Sequence, residues 1–136
     1  MARGETLGYT SGLGLGELRS AIAALYRRRH GIDLDPARVV VTSGSSGGIL
    51  LSFLALFDAG ERVALADPGF PCCRNILGTL GLEPVRIEAE LASRYQPTPA
   101  LLDQVAGRLD GLLVASPANP TGTTLTSVVT LPVSVS

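Results

Sequence analysis

The stretch Val63-Ala64-Leu65-Ala66-Asp67-Pro68-Gly69-Phe70-Pro71 predicts a buried strand, a tight turn and the start of a helix. Its first four residues are apolar and uncharged, which is typical of a strand covered on both faces of a parallel sheet. The Asp-Pro-Gly sequence that follows is made of turn residues. A helix is then expected from about Pro71 to Leu80, ending at Gly81.

The same order of strand, loop and helix recurs on both sides of this stretch. Further strands are predicted at Val39–Val41, Pro84–Ala89 and Leu112–Ala115. Further helices are predicted over about residues 16–29, 49–57 and 98–108. Strands that alternate with helices at this spacing predict a three-layer α/β fold with a mainly parallel sheet. Pro84–Ala89 is expected near a sheet edge, because Arg86 and Glu88 would then face water.

Composition limits the class of protein. The chain has 136 residues, of which 46% are hydrophobic and 17% charged, so we expect one globular domain. A net charge of −1 and the absence of a long apolar run favour neither nucleic acid nor a membrane as partner. The adjacent Cys72 and Cys73 favour a reducing, cytoplasmic setting. A single histidine, His30, gives too few ligands for a structural metal site.

The small-residue stretch Gly44-Ser45-Ser46-Gly47-Gly48 lies between a predicted strand and a predicted helix. Its N–H groups and the hydroxyls of Ser45 and Ser46 suit a phosphate at a helix N-terminus. A turn selected only for tight packing remains an alternative. The stretch also matches G-x-S-x-G, with Ser46 as the nucleophile of a serine hydrolase, but that class needs a histidine downstream and His30 lies upstream.

Two further residues follow predicted strands. Phe70 comes after the turn at 67–69 and could stack on a flat ligand, although a core phenylalanine is the alternative. Asn119 lies in Ser116-Pro117-Ala118-Asn119-Pro120-Thr121-Gly122, directly after the strand at 112–115. Ligands gather at the carboxyl ends of parallel strands, where this amide could donate to a phenolate or carbonyl oxygen.

The glycine-rich stretch Gly12-Leu13-Gly14-Leu15-Gly16 follows no predicted strand. It is therefore interpreted as a flexible lead-in to a helix and not as a dinucleotide-binding loop.

Taken in order, these motifs resemble the pyridoxal-phosphate-dependent aminotransferases of fold type I, class I/II. The resemblance runs from about Thr6 to Thr123 and covers the first part of that family's large cofactor-binding domain. Residues 1–123 are accordingly assigned to this domain, and residues 124–136 to an atypical uncharged tail. The markers are Tyr9 with Gly12, Leu13, Gly14 and Glu17-Leu18-Arg19, then Val41–Ser46, Gly60–Val63, Asp67–Pro71 and Asn119–Gly122.

The resemblance implies a role for each matching residue. Ser45 and Ser46 would hold the phosphate of pyridoxal 5'-phosphate, Phe70 would stack on its pyridine ring, and Asn119 would donate to its phenolic oxygen. Tyr9 would reach the phosphate held by a neighbouring subunit, which implies a homodimer. The family transfers an amino group between an amino acid and a 2-oxo acid.

One residue type that the family requires is missing. All eleven basic residues are arginine, so the sequence contains no lysine that could form the Schiff base with the cofactor. We therefore expect a fragment of an aminotransferase that is inactive alone and contains no catalytic residue. A non-catalytic phosphate- or cofactor-binding domain is the alternative.

Overall fold

The computed structural model of the chain describes residues 8–125. Their helices and strands are α1 (Gly16–His30), α2 (Gly44–Leu56), β1 (Arg62–Asp67), α3 (Pro71–Thr79), β2 (Glu83–Glu88), α4 (Pro99–Leu102) and β3 (Gly111–Leu113). The residues fall into two compact units, one up to Gly48 and one from Ile49. The assignment of residues 1–123 to one domain stays a prediction. Of the predicted tail, residues 126–136 lie outside the described residues.

The second unit contains a parallel sheet of three strands in the order β2-β1-β3. Val63, Ala64 and Leu65 of the central strand β1 are buried, as expected for a strand with neighbours on both edges. In β2, Arg86 and Glu88 are exposed, which confirms the predicted edge position. The predicted α/β class is therefore confirmed.

The core of this unit lies between the sheet and the helices α2 and α3. It consists of Phe53, Val63, Leu65, Cys73, Leu77 and Leu82. Leu77 is completely buried on α3, the helix that connects β1 to β2. Because β1 and β3 are parallel, their carboxyl ends lie at the same edge of the sheet, where Phe70 and Asn119 follow them.

In the first unit, α1 confirms the predicted helix at 16–29. It ends at Gly31, which has a φ of 68° and donates its N–H to the Arg27 carbonyl at 3.0 Å, a common way to close a helix. The guanidinium of Arg19 donates to the carbonyls of Pro36 at 2.8 Å and Val39 at 2.9 Å. These bonds hold the segment after α1 against the helix.

The prediction of a strand at Val39–Val41 is wrong. The backbone of Val39 is extended, and Val41 donates to the Leu13 carbonyl at 3.0 Å. Within residues 8–125, however, no strand pairs with this segment, so the sheet has three strands where the sequence predicted four. A strand needs a ladder of such bonds, and β propensity alone does not provide a partner.

Gly14 lies in the predicted lead-in to α1, which begins at Gly16, and it packs tightly there. Its φ is +92°, and a Cβ atom there would lie 2.6 Å from Cβ of Val41. The Gly14 N–H donates to the Ser11 carbonyl at 2.8 Å, which closes a turn. Glycine is needed at this position for its φ and for close contact with Val41.

Two helix boundaries also differ from the predictions. The helix expected at 98–108 ends at Leu102. The chain then passes through Gly107, which has a φ of 82°, and Arg62 Nη1 donates to the carbonyls of Ala106 and Arg108, each at 2.8 Å. These carbonyls bind the guanidinium and do not continue the helix. The helix expected at 49–57 instead begins at Gly44, since apolar periodicity does not detect the small polar residues of its first turn.

None of the helices within residues 8–125 is long and apolar enough to cross a bilayer.

Candidate functional site

A small hollow of about 50 Å³ lies beyond the carboxyl ends of β1 and β3 in the second unit. Phe70 and Asn119, both predicted from the sequence, line it together, along with Cys73 and Gln96. The Asn119 side chain is exposed, and Phe70 is 37% exposed. The fold therefore brings Phe70 and Asn119, the two residues predicted to contact a ligand ring, to the same hollow.

Phe70 is held by the turn that ends β1, in which the Asp67–Pro68 peptide bond is cis. A Cβ atom on Gly69 would lie 2.4 Å from the Ala66 carbonyl oxygen. The Phe70 carbonyl accepts the Cys73 N–H at 3.1 Å, which begins α3. Asp67 also forms an ion pair with Arg86 on β2. The close approach at Gly69 and the contacts on either side of it leave the Phe70 backbone little freedom.

Asn119 lies in a loop that closes on itself. The Ala118 N–H donates to the Thr123 carbonyl, and the Gly122 N–H donates to the Ala118 carbonyl, both at 2.8 Å. The peptide bonds that precede Pro117 and Pro120 are cis, and Gly122 has a φ of 69°. Asn119 lies between Ala118 and Gly122, whose N–H groups form these two hydrogen bonds. Its side chain is exposed to solvent.

Gln96 is a lining residue that sequence reasoning missed. It is only 5% exposed, and its Nε2 donates to the Thr123 carbonyl at 2.8 Å and to the Ala115 carbonyl at 3.3 Å. No motif surrounds it in the sequence, and its partners, two backbone carbonyls and the Thr123 hydroxyl, belong to a distant loop. Neither residue spacing nor composition could have indicated this contact.

Cys73 gives the hollow an uncharged sulfur at neutral pH. Burial, and secondarily the neighbouring Cys72, raises the pKa of the Cys73 thiol. The other residues that line the hollow are also uncharged. Apolar lining with a few polar groups is typical of sites for flat organic ligands.

Ser45, Ser46 and Tyr9 belong to the first unit. The two serines are exposed in the first turn of α2, a turn that contains no acidic residue. The N-terminus of a helix carries partial positive charge. This turn can therefore bind an anion such as a phosphate. Tyr9 is fully exposed.

Each place by itself fits one part of a pyridoxal phosphate molecule: the hollow suits its phenolic ring, and the first turn of α2 suits its phosphate. Ligand pockets usually enclose a few hundred Å³, so a hollow of about 50 Å³ provides one wall of a site and not a complete pocket. An aromatic side chain, an amide and a helix N-terminus are the groups that a flat, phenolic, phosphorylated ring can use. The described residues contain no cluster of potential metal ligands.

Comparison with known proteins agrees with this chemistry. The family model for aminotransferase class I and II matches residues 1–128. The valine–pyruvate aminotransferase of Mycobacterium tuberculosis is 59% identical over 119 residues, which are 88% of this chain and 31% of that protein. The aspartate aminotransferase of Pyrococcus horikoshii is 32% identical over 118 residues, which are 86% of this chain and 30% of that protein.

Solved structures show the same relationship. An aminotransferase from M. tuberculosis superposes with a TM-score of 0.85 at 57% identity, covering 90% of this chain and 32% of that one. The aromatic aminotransferase of P. horikoshii gives a TM-score of 0.80 at 30% identity, covering 88% of this chain and 33% of that one.

The chain thus spans about a third of the length of these relatives, consistent with the predicted fragment of an aminotransferase. The matches do not support the alternatives, a serine hydrolase with Ser46 as nucleophile and a non-catalytic binding domain. Because the family model covers nearly the whole sequence, the chain belongs to the class I and II aminotransferase family.

Proposed function

We propose that this chain provides part of the pyridoxal 5'-phosphate site of an aminotransferase. The observation that carries the proposal is the position of Phe70 and Asn119 at one uncharged hollow, beyond the ends of two neighbouring parallel strands. When bound, pyridoxal phosphate acts as an electron sink for reactions at the α-carbon of an amino acid.

In this proposal each residue binds one part of the cofactor. Phe70 stacks on the pyridine ring, and the Asn119 amide donates to the phenolic oxygen. The hydroxyls of Ser45 and Ser46 and the N–H groups of the first turn of α2 hold the phosphate, whose negative charge the helix N-terminus favours. Tyr9 is exposed and would reach the phosphate bound by a second subunit of a homodimer.

The reaction proposed for the whole enzyme is amino transfer between an amino acid and a 2-oxo acid, in the cytoplasm. Valine and pyruvate, which the name of the M. tuberculosis relative specifies, are the first pair to test. Residues 1–123 would form the first part of the large domain. This chain lacks lysine, so no side chain here can supply the amine that binds the cofactor covalently and moves the α-proton.

Binding of pyridoxal phosphate to the purified chain tests the proposal. We expect weak, reversible binding by equilibrium dialysis. Phe70→Leu should weaken it about 5-fold, since an aromatic stack contributes about 1 kcal/mol. Asn119→Ala should weaken it about 10-fold, since a hydrogen bond to a charged group contributes about 1.5 kcal/mol or more. Tyr26→Leu, which removes a half-exposed aromatic from α1, is the matched control.

Borohydride reduction and turnover measurements complete the test. Reduction followed by peptide mapping should find no modified side chain, because the N-terminal amine is the only primary amine in the sequence. Transamination of valine and pyruvate should not exceed the rate with the free cofactor. Binding that neither Phe70→Leu nor Asn119→Ala changes, or turnover well above that of the free cofactor, would contradict the proposal.

A further inference from the structure

Gln96 is the one polar side chain that is buried within residues 8–125. We propose that Gln96 is a positioning residue, which holds the loop at residues 115–123 so that Asn119 meets the phenolic oxygen of the cofactor. This inference rests on the proposed function of Asn119 and extends it to a residue that does not itself touch the ligand.

The hydrogen bonds of Gln96 join both ends of the loop. Nε2 donates to the Ala115 carbonyl at 3.3 Å, where the loop leaves β3, and to the Thr123 carbonyl at 2.8 Å, where it closes. The Thr123 carbonyl also accepts the Ala118 N–H at 2.8 Å. One amide group therefore connects the start of the loop, its end and the residue next to Asn119.

The backbone before Gln96 supports a specific role for its position. Arg94 and Tyr95 have φ angles of 55° and 57°, in the left-handed region that residues other than glycine rarely adopt. Two such residues in succession persist only where the surrounding structure favours them strongly. Here they lead the chain from an exposed turn at 91–93 to the buried Gln96, whose amide then meets the loop carbonyls.

Asn119 has no comparable support of its own. Among the described residues, none forms a hydrogen bond with its side chain, which is exposed. The position of the Asn119 amide therefore depends on the backbone of the loop, and two of the bonds that fix this backbone come from Gln96. Loss of the Gln96 amide would remove the side-chain donor to the Ala115 carbonyl and one of the two donors to the Thr123 carbonyl, so the loop would be held less tightly.

Amide hydrogen exchange tests the contact with the loop directly. In Gln96→Met, which keeps the side-chain length and removes the donor, we expect exchange at Ala118 and Gly122 to rise at least 10-fold. Exchange at Leu77 in the core should stay unchanged. Gln104→Met, at an exposed position outside the hollow, is the matched control and should leave both sites unchanged. Unchanged exchange at Ala118 and Gly122 in Gln96→Met would overturn the proposal.

Ligand binding then tests whether Gln96 acts through Asn119. The probe is 4'-deoxypyridoxine 5'-phosphate, which has no aldehyde to react with the N-terminal amine, and the control is the same molecule without its 3-hydroxyl. Gln96→Met should bind the probe about 5-fold to 10-fold more weakly and the control equally well. Asn119→Ala should show the same selective loss, and the double variant should lose no more than Asn119→Ala alone.

A merely structural role predicts different results. Equal losses for both ligands, or additive losses in the double variant, would overturn the proposal. Failure of the unaltered chain to bind either ligand would overturn the proposed function, and the exchange measurement would still decide whether Gln96 holds the loop.

Discussion

Replacement of Gly69 by alanine should disrupt the turn that carries Phe70. A Cβ atom at this position would lie 2.4 Å from the Ala66 carbonyl oxygen and 3.5 Å from its carbon. The Ala66 carbonyl belongs to the central strand β1, so it cannot rotate away as a flexible side chain would. The φ of Gly69 is not in the left-handed region, so the expected effect is steric.

The size of the effect follows from this distance. Ordinary contacts begin near 3.4 Å, so the turn has to move by about 1 Å. Forcing an extra methyl group into a packed site typically costs about 1–3 kcal/mol. We therefore expect Gly69→Ala to lower the free energy of unfolding by about 1–3 kcal/mol. Phe70 follows Gly69 directly and should move with the turn.

Urea unfolding followed by circular dichroism measures the loss of stability, and amide chemical shifts of Phe70 and Cys73 report the movement of the turn. Gly78→Ala is the matched control, because a Cβ atom there meets nothing within 4 Å. Since Gly78 lies inside α3, this change should stabilise the chain by about 0.5–1 kcal/mol. A Gly69→Ala chain as stable as the unaltered one, with unchanged Phe70 shifts, would contradict a steric conflict between residue 69 and the Ala66 carbonyl.

Two further predictions concern the thiol in the hollow and the apolar face of α2. The pKa of the Cys73 thiol should lie above its ordinary value of 9.0. Because the thiol then loses its proton more readily in the unfolded chain, the free energy of unfolding should fall as the pH rises past 9. The difference in absorbance at 240 nm between the Cys72→Ser chain and the Cys72→Ser/Cys73→Ser chain, in which the tyrosine contribution cancels, measures this pKa. A midpoint at or below 9 would contradict the burial argument. The exposed leucines of α2, such as Leu54 at 57% exposure, should cause association at high concentration. In sedimentation velocity, Leu54→Lys should reduce this association. Leu91→Lys, which changes a leucine that is 75% exposed but lies outside α2, should not reduce it. Equal effects of the two substitutions would contradict a specific role for α2.

The sequence predicted those parts of the fold in which local pattern and burial agree. The buried strand at 63–66, the helix that starts at Pro71 and the edge strand at 84–89 all carry their own periodicity and turn residues, and all three are confirmed. Val39–Val41 has the composition of a strand but lacks a ladder partner among the described residues. Such a partner depends on tertiary structure, which no local pattern encodes.

A second error concerns a segment that is held by long-range contacts of one side chain. The segment after Leu102 has the composition of a helix, yet the guanidinium of Arg62 binds two of its carbonyls. Arg62 lies about forty residues earlier in the chain. In a helix that ended at Arg108 these two carbonyls would have no partner within the helix. The contact therefore stabilises the loop found here, and it is visible only once the strand that carries the arginine is in place.

The candidate site divides in the same way. Phe70 and Asn119 could be predicted because each follows a strand, and the carboxyl ends of parallel strands necessarily meet at one edge. Gln96 could not be predicted, since its partners, the Ala115 and Thr123 carbonyls and the Thr123 hydroxyl, lie 19 and 27 residues further along the chain and form no motif with it. A single sequence thus predicts which residues follow the ends of strands more readily than it predicts the long-range contacts that hold a loop.

This difference determines which experiments are informative for the chain. The residues proposed to hold the ring and the phosphate are present, whereas no lysine is available for the covalent and proton-transfer steps. Absence of turnover would therefore follow from the missing amine alone and would not test the geometry of the hollow. Selective binding of a phenolic ligand, lost in Asn119→Ala and in Gln96→Met alike, depends on that geometry and on nothing else in the proposal.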